Sequence, residues 1–134
     1  MGFTEEMSEL TARCRSYIRA GNISMYSNAL KELAELFQKN NRVIKQLKML
    51  ITAFYIDLSG FGRASYIDRN VVESIQSALK SHELDVHLLE KICFNSIQPD
   101  LITNHTLSVN DCWYLLQLCI DGKTEQAEYI LSKI

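Results

Sequence analysis

Residues 51–65 read ITAFYIDLSGFGRAS, and the reading of this stretch decides the fold. As a strand, ITAFYIDL would feed a glycine loop able to cradle a phosphate, and the chain would be an α/β protein. As a helix, it would end an amphipathic segment, and the glycines would form a joint. The spacing favours the helix. Val43, Leu47, Leu50, Ile51, Phe54 and Leu58 follow one another at steps that hold one face of a 3.6-residue period. No other segment alternates apolar and polar residues convincingly, so a strand here would lack a partner. Gly60 then stops the helix and Gly62 frees the backbone for the turn that follows. This reading places a glycine-containing interhelical joint at 59–66.

The joint also fails the phosphate-loop patterns. A dinucleotide loop needs G-x-G-x-x-G, and Ser65 stands where the third glycine belongs. A P-loop needs G-K-[ST], which is absent. IDLSGFG is similar to the aspartate–glycine loop of actin-like ATPases, but Asp57 lies three residues before Gly60, one more than that family's usual spacing. The alternative to a plain joint is a local anion site, in which Arg63 and the free N–H groups of the next helix would meet a phosphate or carboxylate.

Helical stripes continue on both sides. Thr4, Glu5 and Glu6 read as a helix start, followed by Met7, Leu10, Cys14, Tyr17 and Ile18, with Gly21 as the stop. Leu30, Leu33, Leu36 and Phe37 form a second stripe, broken by QKNNR at 38–42. Asp68 caps a fourth helix (Val71, Val72, Ile75, Ala78, Leu79), and Asp85 caps a fifth (Leu88, Leu89, Ile92, Cys93, Ile97). Pro99 ends it and opens an irregular link at 98–107. Ser108 and Asp111 have capping-box spacing before a sixth helix, Gly122 closes that helix, and Thr124 starts a short seventh. The expectation is all-α: a single domain over 1–134, a compact bundle of six to seven short antiparallel helices ending in a C-terminal hairpin.

That last hairpin, WYLLQLCIDGKTEQAEYILSKI, resembles one tetratricopeptide-type helical hairpin over about 22 residues, with Gly122 and Ala127 at the repeat's turn spacing. YIRAGN at 17–22 echoes LCIDGK at 118–123. No 34-residue period accompanies either, so a repeat protein is not expected.

Composition agrees. The 134 residues are 47% hydrophobic and 22% charged, with one proline and five glycines, too little punctuation for an all-β chain. Net charge is −2, which does not mark the whole chain as a polyanion binder. Residues 1–48 nevertheless hold eight Lys and Arg against five Asp and Glu, and residues 49–134 hold six against eleven. The acidic start MGFTEEMSEL has no signal-peptide pattern, and no apolar run approaches a membrane span. A cytoplasmic protein making no membrane contact is expected.

Chemistry-bearing residues are sparse. Cys14, Cys93, Cys112 and Cys119 form no C-x-x-C and fall on or near apolar stripes, as buried thiols do. HELDVH at 82–87 spaces its histidines by five, which turns them about 140° apart on a helix and removes the zinc-protease geometry. Asp57 with Asp68, and Glu83 with Asp85, are carboxylate pairs without a visible cleft. No catalytic, cofactor or metal residue is assigned. Two surfaces remain. Phe61, Arg63 and Tyr66 in and after the joint suit a protein partner or self-association, and Tyr26, Tyr55 and Tyr114 add aromatics able to face solvent. Lys39, Arg42, Lys45 and Lys48 make a slanting basic ridge on the third helix that suits nucleic acid. The leading expectation is a non-enzymatic helical protein–protein interaction module, an adaptor, inhibitor or regulator. The alternative is a small nucleic-acid-binding regulator.

Overall fold

The computed structural model describes residues 2–60, 64–97 and 107–134. Over these the chain is all-helical: α1 (Phe3–Arg19), α2 (Ile23–Lys39), α3 (Val43–Ser59), α4 (Arg69–Ser81), α5 (Val86–Ser96), α6 (Val109–Ile120) and α7 (Thr124–Ser132). Phe61 and Arg63 of the joint, and residues 98–106 of the link, lie outside the described residues.

The decisive stretch is helical. α3 runs unbroken through Asp57 to Ser59, and Gly60 takes the left-handed conformation at φ 75° while its N–H reaches Ile56 C=O. The helix is the centre of the core. Leu47, Ile51, Ala53, Phe54 and Leu58 are fully buried, and α3 packs on α2, α4, α5 and α6. Its C-terminal half is covered all round, so Tyr55 and Ile56, off the expected stripe, are buried too. Tyr55 is therefore not a solvent-facing aromatic. It is 1% exposed, and its hydroxyl donates to Leu107 C=O at 3.2 Å, tying α3 to the start of the α6 segment. α1 packs chiefly on α2, and α7 chiefly on α6.

Four of the links are one structural motif. After α1, α2, α4 and α6, an N–H two residues past the C-cap donates back to a carbonyl in the last turn: Asn22 to Tyr17 (2.8 Å), Arg42 to Phe37 (2.9 Å), Leu84 to Leu79 (2.9 Å) and Lys123 to Leu118 (2.8 Å). The residue before each of these donors is left-handed: Gly21, Asn41, Glu83 and Gly122. The echo between YIRAGN and LCIDGK is thus a shared turn. In three of the four cases the helices on either side of the turn pack on each other, α1 on α2, α2 on α3 and α6 on α7, whereas α4 and α5 pack on α3 and α6. In the last hairpin Ala127 is fully buried.

The other caps agree with the sequence, with one exception. Asp68 and Asp85 accept from Asn70 and His87 N–H, and Ser108 and Asp111 form a reciprocal capping box. α1 instead begins one residue before Thr4, with Gly2 at the cap and no side-chain bond. Among the described residues no helix is long and apolar enough to cross a membrane.

Candidate functional site

Two features of the α2–α3–α4 region stand out against this core. The first is a buried ionic cluster. Asp57 has 0% exposure in the last turn of α3. Ser27, also fully buried, donates its hydroxyl to Asp57 Oδ1 at 2.9 Å. Lys31, one turn further along α2, places Nζ 2.9 Å from Asp57 Oδ2 and 2.8 Å from Asp68 Oδ2. The same ammonium donates to Tyr66 hydroxyl at 3.3 Å and lies 5.7 Å from the centre of the Tyr66 ring. Tyr66 N–H donates to Asp57 C=O at 3.1 Å. The cluster therefore clips the segment after the joint onto the end of α3, and fixes α2 against both.

Its electrostatics follow from burial and pairing. Burial would lower the Lys31 pKa. The hydrogen bonds to Asp68 and Asp57, the Asp57 charge and Tyr66 overcome that and raise it. Burial would raise the Asp68 carboxyl, but the Lys31 hydrogen bond and charge, with the N–H groups of Asn70 and Val71, hold it below its ordinary value. Lys31 is thus a locked cation, unsuited to proton transfer near neutrality.

The second feature is a groove that begins at this cluster. A hollow of about 220 Å³ is lined by Lys31, Glu35, Gln38, Asp68 and Ser74 over an apolar floor of Ala34, Leu50 and Val71. A second, of about 320 Å³, continues along α4 past Glu73, Ser77 and Ser81 to His82. Gln38, Gln46, Asn70 and Ser74 line both hollows, which makes the groove continuous. α4 supplies one wall because Asn70, Ser74, Ser77 and Ser81 recur at steps of four, three and four. Gln46 is the unusual member. It is 4% exposed, and its carboxamide, which bonds no other group among the described residues, is not an enclosed one but opens into the groove.

The residues singled out from sequence divide as follows. Tyr66 is half-buried and joined to Lys31, whereas Phe61 and Arg63 lie outside the described residues. Lys39, Arg42, Lys45 and Lys48 are all exposed. Arg42 lies over the Phe3 ring (5.1 Å) and Lys45 over Phe37 (5.8 Å), so both sit on core aromatics. Lys39 shares a hollow with Glu6, Glu9, Glu32 and Glu35. Tyr26 is half-buried and Tyr114 exposed. The carboxylate pair Asp57 and Asp68 does come together, through Lys31. Ser27, Lys31 and Gln46 were missed. Ser27 and Lys31 are four apart on α2, a polar pair beside the Leu30–Leu33 stripe, and that spacing is the only signal the sequence offered.

The four cysteines are buried and unbridged. Burial pushes the Cys14, Cys112 and Cys119 thiols up, and for Cys112 the neighbouring Cys93 adds to it. Such thiols stay protonated at neutral pH. His87 is exposed beside Glu90, with Nδ1 3.6 Å from the carboxylate. Among the described residues no group of three or more His, Cys, Asp or Glu is placed to hold a metal.

No family model, curated protein or solved structure matches this chain.

Proposed function

We propose that the chain is a non-enzymatic, cytoplasmic helical protein–protein interaction module, an adaptor, inhibitor or regulator, and that the α2–α3–α4 groove is its contact surface. The observation that carries this is an open groove walled by amides and hydroxyls, into which the Gln46 carboxamide opens without bonding any other group among the described residues. A partner seated in the groove can replace water at that carboxamide with its own hydrogen bonds. The one lysine of the lining is already committed: Lys31 is held by two carboxylates. That arrangement supports a rigid docking surface over a reactive centre.

The test is affinity capture from native-host lysate, with and without nuclease, using the wild-type chain and Gln46→Leu. A stoichiometric protein partner that survives nuclease and is lost with Gln46→Leu supports the proposal. A partner retained equally by both proteins contradicts the assignment of the groove.

A second reading, nucleic-acid binding, has the joint exposure of Lys39, Arg42, Lys45 and Lys48 in its favour. It requires recovery of nucleic acid, affinity falling steeply with salt, and loss of binding in the Arg42→Glu/Lys45→Glu double variant. The acids around Lys39 oppose it.

A further inference from the structure

We infer that the occupant of this groove is an extended segment of another protein, about five residues long, carrying a basic side chain near its middle. The inference rests on the groove being the interaction surface.

The chemistry of the lining indicates a peptide backbone. A carboxamide carries an N–H donor and a C=O acceptor side by side, the complement of a peptide group. Gln46 offers this pair from the floor, and Gln38 and Asn70 offer it from the walls shared by both hollows. Ser74, Ser77 and Ser81 add hydroxyls that can donate or accept along the same line. Main-chain recognition of this kind needs an extended ligand, because a helical one has already satisfied its backbone.

The dimensions agree. From Asn70 to Ser81, α4 rises about 16 Å at 1.5 Å per residue. An extended chain advances about 3.3 Å per residue, so about five residues span the wall.

Charge sets the side chain. Glu35 lines the first hollow and Glu73 the second, and neither carboxylate has an ion-pair partner among the described residues. The one lysine of the lining, Lys31, is taken up by Asp57 and Asp68. The groove is therefore acidic between its ends, and a lysine or arginine on the segment meets Glu35 or Glu73 while its backbone meets Gln46.

The experiment uses an array of N-acetylated, C-amidated octapeptides, degenerate at every position except a central one fixed as Lys, Arg, Ala or Glu. It is probed with the full chain, with Gln46→Leu, with Ser77→Trp, which fills the groove from an exposed helical position, and with Tyr129→Ala on a distant surface. A photo-crosslinker placed at Ser77 is run in parallel in host lysate. The expected result is retention on the Lys and Arg series, at least tenfold weaker for Gln46→Leu and Ser77→Trp and unchanged for Tyr129→Ala. Equal retention on all four series, or retention indifferent to both groove variants, overturns the inference. No retention on any series, with a protein adduct at Ser77, overturns the extended-peptide occupant and leaves the groove as the docking surface. No retention and no adduct overturns both.

Discussion

Lys31 Nζ lies 2.9 Å from Asp57 Oδ2, inside a core where that aspartate has no exposed surface. A buried ion pair adds little net stability, since desolvation offsets the attraction, but removing one partner is costly because it strands the other. We therefore expect Lys31→Met to destabilise the chain by about 3 kcal/mol, with Asp57→Asn in that background returning part of the loss. Urea unfolding of the two single variants and the double variant measures this. A coupling energy near zero would mean that Asp57 does not depend on Lys31.

The same cluster sets a pH dependence. The folded Asp68 carboxyl is held below its ordinary value, so its contribution is present above about pH 3.9, the unfolded value, and is lost as pH falls through the folded one. Lys31 is raised, so its contribution is complete below about pH 10.4 and is lost only as pH rises through its folded value. Between these limits Asp68 and Lys31 add no slope. Asp68→Asn should flatten the acid limb of stability below about pH 4. Superimposable acid limbs for variant and wild type would contradict this.

The four matching turns make opposite predictions for two of their members. Glu83 is left-handed at φ 50° without being glycine, a conformation that costs about 1–2 kcal/mol for an L side chain. Glu83→Gly should stabilise the chain by about 0.5–1 kcal/mol, after glycine's greater freedom in the unfolded state is deducted. Gly122→Ala should destabilise it by about 1 kcal/mol although a Cβ there meets nothing within 4 Å, because the cost lies wholly in the backbone. Thermal melts of both variants check the signs.

Tyr55→Phe removes one hydroxyl and orphans the Leu107 carbonyl it serves. A loss of about 1–2 kcal/mol is expected, together with faster amide exchange at the start of α6. Unchanged exchange there would show that the bond does not anchor that segment.

The architecture was legible because it is written in local signals. The α3 stripe excluded a strand at ITAFYIDL, and Asp68, Asp85 and Ser108 marked helix starts through side chains that bond their own backbone. The misread features depend on what packs from elsewhere. Tyr55 read as an aromatic able to face solvent, and only the closure of α4, α5 and α6 over α3 buries it. The turns at Asn41 and Glu83 carry no glycine to announce a left-handed residue, so their identity with those at Gly21 and Gly122 appears only in three dimensions. The groove was illegible for the same reason. Gln46 sits between Lys45 and Leu47 like any polar helix residue, and only the placement of α2 and α4 beside it turns its position into part of a groove.

The central claim is that the groove around Gln46 receives another protein. The most direct measurement places a photo-crosslinker at Ser77 on the groove wall and, separately, at Lys45 on the basic ridge, in the chain expressed in its native host. The account predicts a discrete, nuclease-resistant protein adduct at Ser77 that disappears when Gln46→Leu is added. Adducts formed only at Lys45, or a Ser77 adduct indifferent to Gln46→Leu, would contradict it.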